Sequence, residues 1–135
     1  MKIKREITLV NQQEKTDCVA ACIAMIVGVD INKVKKAAKE INLSFPMTNI
    51  DSIKLLCFFS VVGVMQTDES LYSGKLYKVG VASRNSVGLH SLIIDLRSKK
   101  IKVYDPQNGV CGKNFYSEKE IPENYFSPME IIYLD

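Results

Sequence analysis

The rhythm of hydrophobic and polar positions changes near Gly63. Before it, apolar residues recur at helical spacing; after it, they alternate or form short runs. The first helical segment, "KTDCVAACIAMIVG" (15–28), is polar up to Asp17 and apolar almost all round beyond Cys18. A helix of that kind belongs in a core. Thr16 or Asp17 can cap its start, and Gly28 can close its end. A second helix is expected over 30–42, with Asp30 as cap and Ile31, Val34, Ala38 and Ile41 as its apolar stripe. A third is expected over 48–63, capped at Thr48 or Asn49 and stopped by Gly63. Its end, "LLCFFSVVGVM" from Leu55, reads as buried. Ahead of the first helix, "EITLVNQ" (6–12) is a short strand or an extended lead-in.

Beyond Gly63, four segments are rich in β-branched and aromatic residues: 75–83, 90–98, 99–105 and 129–134. "RSKK" makes a hairpin turn between the second and third, and "DPQNG" (105–109) is a further turn. Residues 111–128 read as mostly irregular. Helices first and strands second define one α+β domain over 1–135, its N-terminal helices packed on an antiparallel sheet.

Composition narrows the function classes. A chain of 135 residues, 47% hydrophobic and 24% charged, is globular. A net charge of +3, with dispersed lysines, gives no basis for charge-driven binding to nucleic acid or to a membrane surface. The densest cluster, "KVKKAAKE", has the spacing of a solvated helix face. No apolar run reaches membrane-spanning length, so no membrane insertion by this chain is expected. The N-terminus lacks a secretory signal core, which points to the cytoplasm and to reduced thiols. Cys18, Cys22, Cys57 and Cys111, with a single histidine, make no zinc spacing. No metal and no cofactor are expected.

The chemistry starts at Cys18. In the first turn of a helix, unpaired N–H groups and the positive dipole end favour an anion and lower a thiol pKa. Cys22, one turn further in, reads as a small buried hydrophobe, as do Cys57 and, in its loop, Cys111. A nucleophile needs a base. The sole histidine, His90, opens the most apolar strand. The base needs an orienting group. Asp105 ends the next strand, and a tight hairpin turning at "RSKK" sets it directly across from His90. Acyl transfer also needs a donor for the oxyanion. Gln12 or Gln13 can fold back toward the helix start, and spacing does not choose between them. Tyr104 and Tyr116 are open to cleft lining or to sheet packing.

A glutamine, then "DC" opening a small-residue helix in "QQEKTDCVAACIAMIVG", then "HSLIID" and "VYDPQNG", resembles the papain-like cysteine peptidases. More narrowly it resembles the peptidase domains of bacteriocin-exporting ABC transporters, which remove leader peptides after a double glycine. The resemblance covers roughly residues 8–110. It implies a papain-like fold, with Cys18 as nucleophile, His90 as general base and acid, Asp105 as orienter and Gln12 as oxyanion donor. Two positions depart from the family pattern. Val19 stands where glycine is usual, and is expected to line the approach to the nucleophile; Ser91 stands where a bulky residue is common.

A cysteine peptidase acting on a peptide or protein is therefore the leading reading. The same three groups also suit deamidation of protein glutamines by a papain-fold toxin or effector. Such a protein would act in a target-cell cytoplasm and be paired with an immunity protein; it would release ammonia without new termini. A non-catalytic substrate-holding domain would lack the nucleophile, which this chain keeps. An unreactive Cys18 would favour that reading, whereas a domain whose Cys, His and Asp are unrelated would not bring four roles to compatible spacings, three of them on element ends.

Overall fold

A computed structural model describes residues 3, 5–14, 16–45, 47–82, 89–106 and 119–134. Cys111, Tyr116, residues 107–109 of the "DPQNG" turn and residues 83–88 lie outside the described residues.

Three helices come first: α1 (Cys18–Val27), α2 (Ile31–Glu40) and α3 (Asn49–Phe58). They are followed by strands β1 (Gly63–Met65), β2 (Leu76–Ala82), β3 (Leu89–Asp95) and β4 (Lys102–Tyr104), a short 3₁₀ turn over Glu123–Phe126, and β5 (Glu130–Leu134). The sheet order is β1-β5-β2-β3-β4, with every neighbouring pair antiparallel. The α+β architecture read from the sequence is the one observed.

Every residue of α1 from Val19 to Ile26 is buried, so this helix is the centre of the helical layer. Each large side chain it buries, Ile23, Met25 and Ile26 among them, contributes about 1.5–3 kcal/mol of transfer free energy. Gly28 closes α1 in the left-handed conformation at φ 83°. The Arg5 guanidinium donates to the carbonyls of Met25 and Ile26, the helix end where a cation is favoured. In α2, Asp30 accepts from the Asn32 N–H at 2.8 Å, as a cap should. In α3, Thr48 and Asp51 form a reciprocal capping box.

The end of α3 differs from expectation. It stops at Phe58, five residues before Gly63, because Ser60 takes a left-handed φ of 61°. The Val61 N–H then reaches back to the Leu56 carbonyl at 2.9 Å, a Schellman closure. Gly63 instead opens β1, a strand the apolar run concealed. Cys57 is exposed rather than buried, being on the outer side of this last turn.

Residues 6–12 form a lead-in and not a strand, with Ile7 buried against the helical core. Arg97, beyond β3, holds the start of this lead-in. It grips Asp95 through Nε and Nη2 and donates through Nη1 to the Ile3 and Arg5 carbonyls at 2.7 and 2.9 Å. The other end is tied by the Gln12 N–H, which donates to the Pro106 carbonyl at 2.9 Å. The lead-in thus runs alongside β4 and delivers the chain to the start of α1.

The sheet has an apolar layer on each face. Leu76, Ile93, Tyr104 and Leu134 join the helical core. Tyr77, Val79, Leu92, Ile94, Val103 and Ile131 form the opposite layer, covered by Ile121 and Tyr125. Tyr104 therefore serves sheet packing.

Candidate active site

Cys18 is the first residue of α1, so its backbone N–H has no place in the intrahelical ladder. Asp17 occupies the cap position, but its carboxylate makes no cap bond to the helix. It turns back instead, accepting from the Gln13 and Glu14 N–H groups at 3.2 and 2.9 Å and from Lys35 Nζ at 2.7 Å. The expected cap is thus a clamp on the loop before the helix, and the first-turn N–H groups stay uncapped by Asp17.

The structure brings Cys18, His90 and Asp105 together. His90 Nε2 lies 2.6 Å from Asp105 Oδ1, and both side chains are buried. That contact leaves the other ring nitrogen, Nδ1, for Cys18, whose sulfur and the imidazole each favour the other's charged form. The Ser91 backbone also favours the thiolate.

The hairpin register is not the one expected. Ile93 pairs with Tyr104, Ile94 with Val103 and Asp95 with Lys102, a register two residues away from a direct His90–Asp105 pair. The connection is longer than a tight "RSKK" turn, because β4 begins only at Lys102. A shift of two keeps every side chain on its face. His90 and Asp105 are therefore diagonal neighbours, within reach of long side chains. Alternation puts both on the face of Leu92 and Val103, while Cys18 comes from the helical layer. The three groups meet where the two layers join.

Burial works against ionisation of both Cys18 and His90, yet their shifts run the other way. His90 is penalised by burial but raised to about 9, because Asp105 and the Cys18 sulfur favour the imidazolium. Cys18 is likewise penalised by burial, and is lowered by the His90 and Ser91 hydrogen bonds and by the charges of His90 and Lys78. The pair favours thiolate and imidazolium. Cys22, fully buried, is pushed well above the ordinary thiol range.

Tyr125, in the 3₁₀ turn, donates from its hydroxyl to Asp105 Oδ2 at 2.8 Å. The sequence carried no sign of this contact, since Tyr125 lies in a segment without periodicity. Gln12 is half-buried beside Pro106; its Nε2 donates to the Glu14 carbonyl at 2.9 Å, and its buried Oε1 has no hydrogen-bond partner among the described residues. Gln13 is turned to solvent, where its Oε1 accepts from Lys35 Nζ at 2.9 Å. The geometry thus separates two glutamines that spacing did not. Val19, expected beside the approach to the thiol, is buried in the helical core, so packing absorbs it.

Among the described residues, no group of three or more His, Cys, Asp or Glu side chains is placed to hold a metal ion. No helix among them is long and apolar enough to cross a membrane. A cavity of about 290 Å³ opens elsewhere, lined by Asn49, Ile50, Met65, Met129 and Glu130 among others.

Three helices on this antiparallel sheet make the papain-like peptidase fold. Among solved structures the chain is similar to a double glycine motif protease from an AMS/PCAT transporter, crystallised in complex with the leader peptide. The TM-score is 0.63 at 14% identity, over 95% of this chain and 89% of that one. No protein-family model matches the sequence, and no curated protein matches it.

Proposed function

We propose that the protein is a cysteine peptidase of the double-glycine leader-processing type, acting on a peptide in the cytoplasm. One observation carries this reading: a thiol at a helix start beside an imidazole that is hydrogen-bonded to a buried carboxylate. The fold shared with a double glycine motif protease supports it.

The Cys18 thiolate adds to the scissile carbonyl carbon, forming a C–S bond and an oxyanion. The Cys18 backbone N–H and a Gln12 amide N–H are the donors for that oxygen. His90, held by Asp105, gives its proton to the departing amine as the C–N bond breaks. Water then attacks the thioester, His90 takes its proton, and the acid and the thiolate are released. Processing of this type calls for a cleft that accepts only small residues at the cleavage point.

The test is incubation with precursor peptides carrying Gly-Gly at the leader junction, read by intact mass. Two fragments ending and beginning at that junction are expected, and Cys18→Ser should produce none. A mass gain matching NH₂-to-OH exchange, with no new termini, would replace this reading with glutamine deamidation.

A further inference from the structure

One buried charge lies apart from Cys18, His90 and Asp105. Lys78, in the middle of β2, is only 1% exposed. It stands opposite Ile93 on one side and Ile132 on the other, both fully buried. Alternation from Leu76 turns it toward the helical layer. There its Nζ donates to Asn49 Oδ1, at the start of α3, at 3.1 Å. That amide oxygen is its one hydrogen-bond acceptor, and no carboxylate lies within ion-pair distance, among the described residues.

Burial lowers the pKa of this ammonium, opposed by the sulfurs of Cys22 and Cys18 and by Glu130, and an apolar residue of similar volume would suit the fold better. Its position suggests what offsets the cost. Gly80, two residues along, pairs with Ser91, so Lys78 and Ser91 are diagonal neighbours on the face under α1. Ser91 directly follows His90, and its backbone favours the Cys18 thiolate. The ionisable groups around that thiol are His90 on β3, Lys78 on β2 and Cys22 on its own helix. Glu130 on β5 also faces the ammonium, and Asp105 lies behind His90.

We propose that Lys78 is a positioning residue for the peptidase reaction: a buried cation, held by Asn49, that keeps the Cys18 sulfur poised as a thiolate. It touches no substrate and acts through Cys18. The proposal rests on the peptidase reading and adds a second source of positive charge beside His90.

The experiment measures the pH dependence of Cys18 alkylation by iodoacetamide, mapped by mass spectrometry. Two neutral variants are compared, Lys78→Met and Lys78→Gln, the latter keeping a hydrogen-bond donor for Asn49; Lys78→Arg keeps the charge. Both neutral variants should move the Cys18 midpoint upward by roughly half to one pH unit, about a three- to tenfold loss of rate at a fixed pH below it. Lys78→Arg should leave it near wild type. An unchanged midpoint in the folded neutral variants, or an equal shift in Lys78→Arg, overturns the proposal. So does loss of near-UV circular dichroism in both neutral variants, which would assign the lysine to the fold alone. Alkylation needs no peptide. A wild-type Cys18 no more reactive than Cys57 would defeat the peptidase reading itself; a reactive Cys18 indifferent to Lys78 would defeat only this inference.

Discussion

Single residues at the site follow from simple rules about where charge is tolerated. With His90 raised from 6.5 to about 9, its contribution to stability is full below pH 6.5 and is lost as pH rises through 9. Cleavage should therefore show an alkaline limb near pH 9 in kcat/KM, where His90 no longer holds the proton that the leaving amine needs. A limb set by Cys18 should appear on the acid side, below the ordinary thiol range. Asp105→Asn should remove the partner that favours the imidazolium, lowering kcat by about 10²-fold and moving the alkaline limb down. Tyr125→Phe, which takes one donor from the Asp105 carboxylate, should cost about 1–2 kcal/mol in urea unfolding. The sequence made Cys18, His90 and Asp105 legible because each sits at the end of an element, where position alone suggests a role. Tyr125 and Lys78 were not legible. One lies in a segment without periodicity, and the other stands in a strand where a lysine normally marks the solvent face.

At the scale of elements, helix boundaries were legible where the residue type matches its usual role, as at Asp30, Thr48 and Gly28, and not at Asp17 or at the end of α3. Asp30 and Thr48 cap as their residue types suggest, whereas α3 ends at a serine in a conformation that favours glycine. Ser60→Gly should therefore stabilise the protein by up to about 1 kcal/mol, seen as a higher urea midpoint. Gly28→Ala should do the opposite. Its φ is 83°, and a methyl there would meet the Arg5 guanidinium carbon at 2.8 Å, displacing the cation from the α1 carbonyls. A loss of at least about 1 kcal/mol is expected in the same assay. The hairpin between β3 and β4 shows why register is harder to read than face. The alternation of apolar positions survives a shift of two residues, so it placed His90 and Asp105 on one face without giving their pairing.

Across the whole molecule, the order of helices then strands sufficed for the architecture, and the strand order did not follow from it. β1 is three residues long and hidden in an apolar run, and β5 inserts between it and β2. The fold matters to the chemistry because it joins two layers at one point: α1 brings a thiol from the helical side, and the β3–β4 hairpin brings the imidazole and carboxylate from the other face. The lead-in, tied by Arg97 at one end and Pro106 at the other, sets Gln12 beside them. If this meeting point makes an activated nucleophile, its thiol should stand apart from the others in the chain. The direct measurement is limited iodoacetamide labelling of the native protein at about pH 6, with site mapping, on wild type and His90→Ala. At that pH a free thiol, with a pKa of about 8.5, is almost wholly protonated. The expected result is modification at Cys18 ahead of the exposed Cys57, with that preference lost in His90→Ala. Labelling of Cys57 before Cys18 in the wild type would contradict it.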